Sequence, residues 1–147
     1  MIFDSIAIAS DHRGYWMKSD LMEYFQNLGY EFEDRGTASD CVSVDYPDYA
    51  KKVTDYVMSH KNSFGILICH SGIGMSIAAN RVKGIRAVLC YSEEMARLSR
   101  EHNNANVICF GAGFIGKEEA IQCIEIFANT AFDERHLPRI QKLDEIP

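Results

Sequence analysis

Short apolar runs and helix-spaced apolar positions alternate along the chain. The run SIAIAS, Ser5 to Ser10, predicts a strand. From Arg13 the period changes. Met17, Leu21, Tyr24, Phe25 and Leu28 fall at i, i+4, i+7, i+8 and i+11, one face of a helix that Gly29 is suited to end. Tyr30 to Gly36 alternates and predicts a second strand, followed by a loop of small and polar residues, DRGTASDCVSVD. Tyr46, Tyr49, Ala50, Val53 and Val57 mark a second helix, with Pro47 in its first turn. FGILIC (Phe64 to Cys69), IRAVLC (Ile85 to Cys90) and NVICFG (Asn106 to Gly111) predict the third, fourth and fifth strands. Ser92 to Asn103 reads as a helix with a serine N-cap and an acidic first turn. KEEAIQCIEIFANTAF then places Ala120, Ile124, Phe127, Ala128 and Ala131 on one helix face. The tail, DERHLPRIQKLDEI, predicts a last, charged helix broken near Pro138.

Strand and helix in alternation, with near-continuous apolar strands, predict an α/β fold. Its form is a five-stranded parallel sheet covered on both faces, a three-layer αβα sandwich of Rossmann-like type. Crossovers of this kind are right-handed. With no internal repeat, low-complexity tract or composition break, residues 1–147 read as one domain. In such sheets ligands bind at the carboxyl ends of strands, where neighbouring crossovers diverge. The rule singles out SDHRG, CHSGIG, CYSEE and FGAGFIG.

Charge and cysteine usage narrow the function classes. A net charge of −6 without Lys/Arg runs argues against nucleic acid and membrane surfaces as partners, though local positive charge can still hold a small anion. The five cysteines are odd in number and include no Cys-x-x-Cys pair, which predicts reduced thiols in the cytoplasm rather than a disulfide framework. No zinc-type ligand spacing occurs. The first residues are too polar for a signal peptide, and no apolar run approaches the roughly 20 residues of a membrane span.

The chemistry concentrates in CHSGIGMS, Cys69 to Ser76. Two glycines at i, i+2 before a helix-like segment let successive N–H groups converge on an anion, or else form a plain tight turn. The pattern is neither G-x-G-x-x-G nor Walker A. A cysteine ending an apolar strand is most often inert, as Cys90 and Cys109 are read. Cys69 differs because a hydroxyl and glycine N–H groups follow it at once. His70 is adjacent, but neighbours on a strand point to opposite faces. Asp11 with His12 is either an acid–base pair or a helix cap. His102 either serves chemistry or complements a helix C-terminus, and Asn103 and Asn104 suit a loop. Arg135 and Arg139, four apart, either clamp a phosphate or pair with Asp133, Glu134 and Asp144.

Taken together these motifs resemble the type B ribose-5-phosphate isomerases, the family that includes galactose-6-phosphate isomerase subunits. The resemblance runs over ASDHRG (Ala9 to Gly14), DRGT (Asp34 to Thr37), DYPDYA (Asp45 to Ala50) and GILICHSGIGMSIAANRVKGIRA (Gly65 to Ala87). It continues through ARLSREHNNANVICFG (Ala96 to Gly111) and RHLPRI (Arg135 to Ile140). It implies a metal-free, cofactor-free aldose–ketose isomerase of the non-oxidative pentose phosphate branch, acting through a cis-enediolate. Cys69 would be the base, and Ser71 with the N–H groups of Gly72, Ile73, Gly74 and Met75 would hold the oxyanion. His102 would open the furanose ring. Asp11 and Asn103 would bind or shuttle protons at the sugar hydroxyls, and Tyr46 would wall the sugar. His12, Arg135 and Arg139 would hold the phosphate. The resemblance further implies a homodimer or tetramer with each site shared between subunits. A hexose 6-phosphate isomerase and a non-catalytic sugar-phosphate-binding module are the alternatives.

The chain departs from the family pattern twice. His70 stands where the family usually has glycine after the thiol. Gly113 stands where it often has an arginine contributing to the phosphate site.

Overall fold

In the computed structural model, which describes residues 1–147, all five predicted strands form. They are β1 (Ser5–Ser10), β2 (Phe32–Asp34), β3 (Ser63–Cys69), β4 (Ala87–Leu89) and β5 (Val107–Gly111). They build one sheet in the order β2-β1-β3-β5-β4, and every neighbouring pair is parallel. The helices are α1 (Tyr15–Asn27), α2 (Tyr46–Ser59), α3 (Ile73–Asn80), α4 (Glu93–Asn103), α5 (Lys117–Asn129) and α6 (Leu137–Leu143). Single 3-10 turns at His12–Gly14 and Glu134–His136 precede α1 and α6.

Four boundaries and one expected helix break differ from expectation, each for a physical reason. β2 and β4 pair over three residues each instead of the longer runs Tyr30 to Gly36 and Ile85 to Cys90. Both are edge strands with a partner on one side only. Leu28 lies beyond the end of α1 and is exposed, because Gly29 turns the chain at φ +90°. α5 stops at Asn129, leaving Ala131 exposed, because Thr130 is extended and gives its carbonyl to the buried Arg100. Pro138 does not break the tail helix; it sits in the first turn of α6, where its missing N–H costs nothing.

The two faces of the sheet are packed by different helices. α1 and α5 cover one face with Met17, Leu21, Phe25, Ile121, Ile124 and Phe127, and Ala96 of α4 joins them. α2 and α3 cover the other with Ala50, Val53, Val57, Met75 and Ala79. The central strand β3 alternates between them: Phe64, Ile66 and Ile68 face the first, Leu67 and Cys69 the second. The period of two therefore sets the face of the thiol.

Arg100 links the far ends of α4 and α5. Its guanidinium donates to the carbonyls of Thr130 and Ala105 and to Asn104 Oδ1, and lies over the rings of Phe3 and Phe127. Burial, with the nearby Arg86 charge second, lowers its pKa to about 10.

Candidate active site

The carboxyl edge of the sheet gathers one group of the candidate residues. Ser10 pairs with Ile68 in the β1–β3 ladder, and the Asp11 N–H donates to the Ile68 carbonyl at 3.2 Å. Asp11 is therefore the next residue beside Cys69, at the strand spacing of about 4.8 Å. Asp11 Oδ1 accepts from the N–H groups of Arg13 (3.0 Å) and Gly14 (3.1 Å), so it is a cap. Its Oδ2 makes no bond within the chain. His12 Nδ1 accepts from the Val44 N–H at 3.2 Å, which leaves the ring proton on Nε2.

The loop after Cys69 has the geometry of an anion cradle. Gly72 takes φ +77°, a conformation that a side chain strains, and caps α3. Its N–H donates to Cys69 Sγ at 3.2 Å. The Ile73 N–H donates to Ser71 Oγ, also at 3.2 Å. The N–H groups of Gly74 and Met75, orphans of the first helical turn, have no partner in the chain. The Tyr46 ring lies on Gly74, where a Cβ would come within 2.7 Å of it. Cys69 itself is only 5% exposed, with its sulfur at the mouth of this turn.

The remaining candidates lie at the opposite edge. α4 connects two parallel strands, so it returns from the carboxyl edge to the amino edge; its 11 residues span about 16 Å. His102 and Asn103 at its end are thus displaced from Cys69 by the height of the sheet. α5 returns in the same way and delivers the RHLPR segment to the same edge. There the His102 and His136 rings are 4.5 Å apart, and Arg139 reaches His136 Nδ1 at 3.1 Å. Asp133 pairs with Arg135 at 2.8 Å. Desolvation, then the His102 and Arg135 charges, push the His136 pKa down. Its Nε2 is buried without a partner. Two arginines and two histidines, of which only Arg135 is ion-paired here, suit a phosphate, which would relieve their repulsion. His136 was missed by sequence reasoning although it sits inside RHLPR; only the fold brings it onto His102.

The two departures from the family pattern form one contact. His70 is exposed on the face opposite Cys69, and its ring fills the space a Cβ at position 113 would need. It also packs edge-on against Phe114, with ring centroids 5.5 Å apart. Glycine at 113 therefore leaves the space that the exposed His70 ring occupies. Gly113→Ala is expected to turn the exposed His70 ring aside at a cost of about 0.5 kcal/mol, and the additional change His70→Gly to remove that cost. Urea unfolding of the two single variants and the double variant measures this coupling.

The other thiols are separate from the cradle. Cys90, Cys109 and Cys123 are fully buried, and Cys41 lies exposed on the surface. Burial, then the Cys69 and Cys90 groups, push the Cys109 thiol up. No cluster of three or more His, Cys, Asp or Glu is arranged to hold a metal ion. No helix is long and apolar enough to cross a membrane. A groove of about 610 Å³ lies between α4 and α5; its lining includes Glu93, Glu94, Arg97 and Glu125 and none of the candidate residues. Such an acidic groove is a poor receptor for a sugar phosphate.

Comparison with known proteins converges on one family. A family model described as Ribose/Galactose Isomerase matches residues 6–143. A ribose 5-phosphate isomerase from Thermotoga maritima, solved by crystallography, has a TM-score of 0.93 and 51% identity, over 97% of this chain and 98% of that one. Ribose-5-phosphate isomerase B from Mycoplasma genitalium, solved with bound ribulose-5-phosphate, has a TM-score of 0.90 and 38% identity, over 96% of this chain and 94% of that one. Ribose-5-phosphate isomerase B from Escherichia coli K12 is 38% identical over 142 residues, covering 96% of this chain and 95% of its own length.

Proposed function

The chain belongs to the ribose/galactose isomerase family, and from that premise we propose that it interconverts D-ribose 5-phosphate and D-ribulose 5-phosphate, with Cys69 as the base. The observation that carries this reading is the thiol at the mouth of a turn with two unpartnered N–H groups, beside Asp11. Aldose–ketose isomerisation needs a base close to the C2 proton and donors for the negative charge that develops on O1. Cys69 takes the proton from C2, and the electron pair moves onto the carbonyl to give a cis-enediolate. Gly74 and Met75 N–H groups and the Ser71 hydroxyl receive the oxyanion. Asp11, through Oδ2, moves a proton between the two sugar oxygens. Cys69 then returns its proton to C1. Tyr46 walls the sugar over Gly74.

A single copy supplies only part of this machinery, since His102, Asn103, Arg135 and Arg139 lie at the other edge of the sheet. The site is therefore completed by a second copy of the chain. Its His102 protonates the furanose ring oxygen to open the ring, and its Asn103 binds a sugar hydroxyl. Its Arg135 and Arg139 hold the phosphate with His12 of the first copy. Ile73 and Ile77, one turn apart on α3 beside the cradle, are 50% and 52% exposed, and the second copy covers them. The smallest such assembly is a two-fold homodimer, and a tetramer repeats the same pairing. Residues 1–147 act as one sugar-phosphate isomerase domain, and five free cysteines suit the reducing cytoplasm.

A coupled isomerase assay tests the reading. Purified protein treated with chelator is expected to isomerise ribose 5-phosphate at the untreated rate, because the base is a thiol. Faster turnover of allose or galactose 6-phosphate would reassign the substrate to hexoses. Binding without exchange of the C2 proton into deuterated solvent would mark a binding module, and loss of activity with chelator would reject the thiol mechanism.

A further inference from the structure

Tyr91 follows β4, is partly buried, and reaches the cradle from the side opposite Asp11. Its hydroxyl donates to the Ser71 carbonyl oxygen at 2.5 Å. The N–H of the same peptide unit, on Gly72, donates to Cys69 Sγ at 3.2 Å, the only hydrogen bond this sulfur receives. One peptide plane is thus held at both ends, by a phenol and by the thiol. We infer that Tyr91 is a positioning residue for the reactive sulfur, acting through the Ser71–Gly72 peptide. This rests on the reading of Cys69 as the proton carrier.

Two physical effects follow from the geometry. Glycine at 72 leaves that peptide free to rotate, and the Tyr91 bond removes the freedom. Donation to the carbonyl also polarises the amide, so its N–H becomes a stronger donor to the sulfur. Nothing else around Cys69 duplicates this contact. Asp11 flanks it from β1 and the buried Cys109 thiol lies on β5. α2 and α3 face it with Ala50, Val53, Met75 and Ala79, and Tyr46 stands beyond Gly74.

Tyr91→Phe removes the hydroxyl and keeps the ring. For a partner one step removed from the reacting group, kcat is expected to fall by about 10-fold with KM within about 2-fold of wild type. Iodoacetamide alkylation of Cys69 at neutral pH, located by peptide mass, is expected to slow by a similar factor, while the exposed Cys41 reacts as before. The Gly72 amide resonance is expected to shift in the same variant, a readout that requires no turnover. A variant with wild-type turnover, wild-type Cys69 alkylation and an unmoved Gly72 resonance overturns the inference. Alkylation slowed in a protein whose wild type lacks isomerase activity would uphold the contact and reject the proposed function instead.

Discussion

Cys69→Ala is expected to lower turnover of ribose 5-phosphate by about 10²–10⁴-fold, the range for loss of a general base, with little change in KM. Substrate binding is expected to be retained because the proposed phosphate and hydroxyl contacts lie elsewhere in the site. The stability cost is small. The sulfur is the only atom removed, and α2 and α3 keep their packing on Leu67 and Ala9; the cavity left costs about 1 kcal/mol. Cys109→Ala is the matched control. It removes a thiol from the neighbouring strand that burial holds protonated, so turnover should stay near wild type. Steady-state kinetics of both variants, with unfolding curves, separate a chemical role from a packing one. Equal loss in the two variants would reject Cys69 as the base.

Most of the scaffold is legible in the chain because its physics is local. A strand buried on both faces must be apolar throughout, as Phe64 to Ile68 are, and a helix over such a sheet must carry one apolar stripe, as α2 does. The Ser92 cap is equally local, with its Oγ accepting from the Met95 N–H at 3.2 Å. The misjudged boundaries depend on distant partners. Nothing near Thr130 announces that Arg100, thirty residues away, takes its carbonyl. The short pairing of β2 and β4 follows from strand order, which the apolar runs do not encode.

The same division runs through the site. The turn of CHSGIGMS and the Asp11 cap are contained in a few consecutive residues, and both form. Tyr91 carries no motif; its contact with Ser71 exists only because β4 lies beside β5 at the sheet edge. His70 and Gly113 look like two independent departures along the chain, yet the His70 ring lies in the space beside Gly113, across two strand ends. The position of His102 illustrates the limit most clearly. The resemblance implies a site shared between subunits, but the residues alone give no reason for it; the direction of α4 supplies one by putting His102 and Cys69 at opposite edges.

That separation is the basis of the central claim, a site built from the carboxyl edge of one copy and the amino edge of another. Two inactive variants test it together. Cys69→Ala lacks the proposed base. A double variant, His102→Ala with Arg139→Ala, lacks the proposed ring-opening imidazole and one arm of the proposed phosphate clamp. If each site draws on both copies, a hybrid dimer has one site with both defects and one site with none. Random assortment of equal amounts makes about half the dimers hybrid. Co-refolding the two variants and assaying ribose 5-phosphate isomerisation is expected to restore about one quarter of the wild-type rate. Activity no higher than that of the two parents, in a mixture whose hybrid dimers are confirmed by mass, would contradict the shared site.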